Sequence, residues 1–142
     1  MKVRDVMSRG VIRINPGENL AVAARTLEHY NIGSLPVCGS DGRLCGILTD
    51  RDIVTRCLAA GRSVQNTSVR DVMTRQVVSA KPDMDIGAAA HLMGRQQIRR
   101  GPVLENGKLC GMVRLGDLAQ REESVIDAAD ALADIISNVS QR

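Results

Sequence analysis

The chain has 142 residues, of which 44% are hydrophobic and 25% charged, with a formal net charge of +3. That is enough for one good core or two small half-domains sharing one, and no apolar run of roughly 18 residues marks a membrane span. With one Tyr and neither Phe nor Trp, the chain lacks the stacking platform that single-stranded nucleic acid wants, and its charge is too small and dispersed to argue for DNA.

The opening Val3-Arg4-Asp5-Val6-Met7 leads into an extended apolar stretch, Val11 to Ile14, that stops at Pro16. Proline biases its predecessor away from helix, so a strand is expected before it and a helix after it. In Asn19 to Tyr30, Leu20, Ala23, Ala24 and Leu27 recur at helical spacing, and the Ala pair suits close approach of another backbone. Leu35 to Cys38 and Leu44 to Thr49 read as strands flanking the turn Gly39-Ser40-Asp41-Gly42. A helix is expected from Asp50 to about Ala60, stopped by Gly61, and the polar residues 61 to 68 read as a connector.

Then the chain repeats itself. Val69-Arg70-Asp71-Val72-Met73 returns letter for letter, 66 residues on. Val77 to Ala80 ends at Pro82; Ile86, Ala89, Ala90 and Met93 form the helical stripe; Gly101 to Leu104 and Lys108 to Arg114 flank a turn one residue shorter; a last helix opens near Leu115. Each copy is thus β-α-β-β-α, an α/β (α+β) unit. The copies span 1–64 and 65–123, and are expected to pack as a pseudo-two-fold pair with a cleft between them. Residues 124–142 form a tail whose helix, Ser124 to Val139, carries an apolar face of Val125, Ala128, Ala129, Leu132, Ile136 and Val139. That face either covers its own domain or packs on a partner chain.

Cys38, Cys45, Cys57 and Cys110 form no CxxC pair, and Cys45 and Cys110, at equivalent positions inside apolar runs, read as small core residues; with the absence of an N-terminal leader pattern this points to a cytoplasmic protein. His29 and His91 are not equivalent in the two copies and have no nucleophile with an orienting acid. Neither a P-loop, a GxGxxG nor an HExxH is present. Catalysis is not expected.

The paired runs "NIGSLPV…GRLCGILTDRDIV" and "QIRRGPV…GKLCGMVRLGDLA" resemble a tandem pair of CBS domains, the regulatory (Bateman) module named after cystathionine β-synthase. The resemblance covers Val3 to Arg121. It implies a motif Gly-x-x-[Ser/Thr]-x-x-Asp that binds adenosine-containing ligands, here Gly46 to Asp52 and Gly111 to Asp117. Thr49 would donate to phosphate and Asp52 or Asp117 would accept from the ribose hydroxyls. The base would lie against Arg13-Ile14 and Ser79-Ala80 and the backbone before Pro36 and Pro102, and Arg99-Arg100 would reach phosphates. Two readings of Thr49-x-x-Asp52 stand, because the same spacing is a helix capping box. The second copy keeps Asp117 but has Arg114 in place of the Thr. Arg114 departs from the family pattern and either grips phosphate more firmly or pairs with Asp117 and closes the site.

The reading is a stand-alone sensor that binds AMP, ADP, ATP, NAD or S-adenosylmethionine between its repeats, requires no cofactor, and acts through a separate, unnamed partner protein. A homodimer is expected, formed by helices of both repeats, with the final helix either joining the interface or covering its own domain. The rivals are a zinc- or thiol-responsive protein, although the Cys and His spacing specifies no metal site, and an assembly module with empty clefts.

Overall fold

A computed structural model describes residues 1–121 and 123–140, the last two by backbone alone. In chain order it shows α1 (Val3–Val6), α2 (Leu20–Tyr30), β1 (Ser34–Cys38), β2 (Leu44–Thr49), α3 (Asp50–Asp52), a π-helical segment (Ile53–Leu58), α4 (Val69–Val72), α5 (Ile86–Gln96), β3 (Arg100–Glu105), β4 (Lys108–Arg114), α6 (Leu115–Ala119) and α7 (Val125–Ser140). The two sheets are antiparallel pairs, β1–β2 and β3–β4, so the mixed α/β class holds.

The repeat is a period of the chain, but the compact units are cut differently. One unit is Ile12–Val77; the other joins Met1–Val11 to the chain from Val78 onward. The opening turn α1 belongs to the second: Val3 N–H donates to the Met84 carbonyl at 2.8 Å and Arg4 N–H to that of Pro82 at 3.0 Å. Its copy α4 repeats the arrangement in the first, Val69 donating to Glu18 at 2.8 Å and Arg70 to Pro16 at 3.0 Å. Each unit has its own aliphatic core. Leu20, Leu35, Val37, Leu48 and Val69 build one, and Val3, Ile86, Met93, Val103 and Leu118 the other.

The expected strands before Pro16 and Pro82 do not form. Each stretch makes one parallel bridge, Ile14 to Val37 and Ala80 to Val103. Ile14 N–H donates to the Pro36 carbonyl while the Ile14 carbonyl accepts from Cys38 N–H; Ala80 does the same with Pro102 and Leu104. The next rung on one side needs an N–H from Pro36 or Pro102, and on the other from Pro16 or Pro82. Proline has none, so each ladder stops at a single bridge.

The helices otherwise follow their signals. Asn19 caps α2 by accepting from Val22 N–H at 2.9 Å, and Asn31 and Gln97 end α2 and α5 in the left-handed region at φ 52° and 60°. The helix expected from Asp50 to about Ala60 is α-helical only through Asp52, widens to π geometry over Ile53–Leu58, and ends before Gly61 at φ 73°.

The final helix is rotated from the expected face. Ala128, Ala131 and Ile135 are buried, whereas Val125, Leu132 and Ile136 are 42%, 38% and 50% exposed; the side chain of Val139 lies outside the described residues. The reason is distance. A Cβ placed on Gly94 of α5 would stand 2.9 Å from Ala131, a separation that only the small-residue side of α7 allows. Ala90 is buried in the cluster that α7 completes. Its counterpart Ala24, expected in the buried stripe of α2, is exposed.

Candidate functional site

In the first unit, β2 turns into α3 at Thr49, and the capping box is closed. Thr49 N–H donates to Asp52 Oδ2 at 3.0 Å, and Asp52 N–H to Thr49 Oγ1 at 3.0 Å. Asp52 is 7% exposed, and its other oxygen lies 3.7 Å from Arg56 Nε. Arg56 in turn donates to the carbonyls of Val72 and Met73 at 3.1 and 3.3 Å. Both oxygens of this carboxylate therefore face protein donors, and both cap groups satisfy one another.

The second unit has the same backbone with different side chains. Leu115 N–H donates to the Arg99 carbonyl at 2.8 Å, as Asp50 does to Gly33 at 3.0 Å. Arg114 occupies the cap position of α6 but makes no capping bond. Asp117 is half-buried, and its carboxylate makes neither hydrogen bond nor ion pair among the described residues. Arg114 thus does not pair with Asp117. Across the strand pair it stands opposite Arg100, its Cα partner at the end of the β3–β4 ladder, with Arg99 next in the chain. The equivalent rung of the first unit is Ser34 opposite Thr49.

The remaining sequence-predicted residues group by unit. Arg13-Ile14 is stitched to Pro36, and Ser79-Ala80 to Pro102, by the bridges described above. Ile14, Ala80, Pro36 and Pro102 are all buried, so their side chains serve the cores, while Arg13 and Ser79 stand on the outer side. Arg13 lies beside the Cys38 thiol. Burial pushes that thiol up from its ordinary value, and Arg13 pulls it partly back. Cys110 is likewise pushed up by burial, with Glu105 adding to the shift.

Sequence reasoning missed a surface depression of about 520 Å³ at the hairpin end of β3–β4, where Arg4 and Lys81 face Asp83 and Glu105, with Ser79 on its wall. Its one signal was the cationic position after Val3, which the fold brings to Pro82 through the Arg4 Nε donation at 3.3 Å. The Arg100–Arg114–Asp117 group lies at the other end of the same strand pair.

The sequence model of the CBS domain matches twice, over residues 3–59 and 69–124. The chain belongs to the CBS-domain family. CBS pairs are regulatory, ligand-binding modules. Among its relatives is the CBS domain-containing protein YhcV of Bacillus subtilis, 41% identical over 133 residues and covering 94% of each chain. Hypoxic response protein 1 of Mycobacterium tuberculosis is 34% identical, over 91% of this chain and 92% of that one. The crystal structure of Hypoxic Response Protein I with two coordinated zinc ions superposes with a TM-score of 0.78 at 35% identity, covering 85% of this chain and 98% of that one. The CBS domain pair of MJ0100, in complex with 5′-methylthioadenosine and S-adenosyl-L-methionine, superposes with a TM-score of 0.73 at 28% identity, covering 84% and 94%.

Proposed function

We propose that the protein is a non-catalytic sensor that binds an adenosyl ligand at the Asp117 end of its second unit and passes the occupancy to a partner protein. The observation that carries this reading is the unequal fate of two equivalent carboxylates. Asp52 is consumed by its capping box and Arg56, whereas Asp117 keeps two acceptor oxygens for the paired hydroxyls of a ribose. The base would lie toward Ser79 and the Pro102 backbone. The adenosyl compounds bound by the MJ0100 pair support the ligand class. In the first unit Thr49, Asp52, Arg13, Ile14 and Pro36 are then structural.

The experiment is a thermal-shift screen of AMP, ADP, ATP, NAD and S-adenosylmethionine, since a ligand of the native state raises the melting temperature by mass action. At least one should raise it, and Asp117→Asn should abolish the rise without lowering the unliganded melting temperature. A folded protein that responds to none of them excludes the reading.

A zinc-responsive role is the second reading, supported by the zinc-bound relative. Among the described residues no three His, Cys, Asp or Glu side chains gather at one point. Metal analysis of untagged protein tests it. The homodimer is supported by the exposed Val125, Ile126 and Leu132 of α7. No helix among the described residues is long and apolar enough to cross a membrane.

A further inference from the structure

Two cysteines oppose each other across the first hairpin. In the β1–β2 ladder Pro36 pairs with Ile47 and Val37 with Gly46; the register then shifts, and Cys38 pairs with Leu44. Such a shift marks one extra residue in β2, so that Cys38 faces Leu44 and Cys45 together. Side chains alternate along each strand. Cys38 lies two residues beyond Pro36 and Cys45 two before Ile47, so both start from the face opposite to that on which Leu35, Val37 and Leu48 build the core. Cys38 N–H donates to the Ile14 carbonyl at 2.9 Å, on the side away from β2. At such non-hydrogen-bonded positions of a regular ladder, opposed Cα atoms come closest, about 4.5 Å. That is inside the span of about 4.4–6.8 Å that a disulfide bridges. The two surroundings differ. Cys38 is 4% exposed, with Arg13 beside its thiol, whereas Cys45 is exposed and its thiol donates to the Arg43 carbonyl at 3.8 Å. The fold does not require the pair, because the second hairpin has the same shift with Leu104 in the place of Cys38 and Cys110 in that of Cys45.

We propose that Cys38 and Cys45 are a thiol pair that a hydroperoxide oxidises to a reversible disulfide, an oxidant-responsive site in the unit that lacks Asp117. The Cys45 thiolate attacks one peroxide oxygen and the O–O bond breaks. The hydroxide released takes up the proton that Cys45 gave away, and Cys45 is left as a sulfenic acid. The Cys38 thiolate then attacks the Cys45 sulfur, forming the S–S bond and expelling a second hydroxide, which takes up the proton of Cys38. Two thiols and one hydrogen peroxide thus give one disulfide and two waters, with two electrons passing from sulfur to peroxide. The order of the two thiols follows from access. Oxidants reach exposed cysteines first, which selects Cys45. Burial holds Cys38 up from its ordinary value and Arg13 pulls it partly back, which suits a thiol that acts second and at close range.

Hydrogen peroxide added to the reduced, folded full chain, followed by alkylation, trypsin and mass spectrometry, tests this. Trypsin cuts after Arg43, between the two cysteines, so they fall on separate peptides that only a disulfide joins. The joined pair should form, and dithiothreitol given before alkylation should abolish it. Cys110, in the hairpin with Leu104, should stay unlinked. In Cys38→Ala the Cys45 sulfenic acid has no thiol to meet and should advance to sulfinic acid, which dithiothreitol does not reverse. Should that variant fail to fold, the wild-type peptide map decides alone. A wild-type chain in which both thiols stay reduced, in which Cys45 reaches sulfinic acid without the Cys38–Cys45 link, or in which Cys45 links to a second copy instead, overturns the proposal.

Discussion

His91 Nε2 lies 2.6 Å from Asp127 Oδ1, tying α5 to the first turn of α7. Both groups are partly exposed, so the pair contributes at most about 1 kcal/mol. The close packing beneath it should matter more. Gly94→Ala places a methyl 2.9 Å from Ala131 and should cost about 1–3 kcal/mol through overpacking, outweighing the roughly 1 kcal/mol that Ala gains in a helix. Asp127→Asn should cost less. Urea denaturation checks the order, and a more stable Gly94→Ala would mean that α7 does not sit on α5 at this distance.

Arg114→Thr should rebuild in the second unit the box that Thr49 and Asp52 close in the first. The cap should add about 0.5–2 kcal/mol and draw the Asp117 carboxylate back to the chain. Stability should therefore rise while affinity for every adenosyl compound falls. Two readings from one variant, a melting curve and a titration, check this; a stabler protein with tighter binding would refute the assignment of Asp117 to the ribose.

The strand glycines should differ in tolerance. A Cβ on Gly46 would meet the Thr74 carbonyl oxygen at 2.5 Å, whereas one on Gly111 would meet Met7 Sδ at 2.6 Å and the Ser8 carbonyl oxygen at 3.0 Å. A thioether can turn aside; a backbone carbonyl held by Ile47 N–H at 2.9 Å cannot. Gly46→Ala should cost the full overpacking range of about 1–3 kcal/mol and Gly111→Ala the lower part of it.

Cysteine chemistry should separate by burial. Cys45 is exposed and Cys38 buried, so iodoacetamide at pH 8 should label Cys45 first, as read by mass spectrometry. Because burial raises the Cys38 value in the folded chain above the ordinary 9.0, its contribution to stability is complete below that pH. It is lost as pH rises through the folded value. Cys38→Ala should flatten that alkaline loss.

Sedimentation equilibrium tests the dimer. A mass near 15.3 kDa at micromolar concentration rejects it. If a dimer is found, Leu132→Glu should weaken it when α7 is part of the interface.

Much of this was legible in the letters. The two copies, the helices capped by Asn19 and opened by Ile86, both hairpins and the Thr49–Asp52 box all follow from local spacing. The misses have one origin, in that distant partners decided them. Whether the stretch before Pro16 becomes a strand depends on which residues lie beside it, and these are prolines. Which face of α7 is buried depends on Gly94, more than thirty positions away by the sequence numbering. Whether Asp117 is occupied depends on Arg114 turning elsewhere, which spacing alone left open.

The exchange of the opening turn has a consequence for synthesis. As the chain leaves the ribosome, residues 12–77 complete a compact unit that is continuous in sequence and can fold as soon as it emerges. The first eleven residues cannot follow suit. Val3, fully buried in the mature protein, must stay in solvent until Met84 and the helix after it have been translated, because its backbone partner is Met84. These eleven residues are thus placed only after the unit that follows them in sequence. A fragment of residues 1–77 should present a finished unit of residues 12–77 and a loose, protease-sensitive segment of residues 1–11.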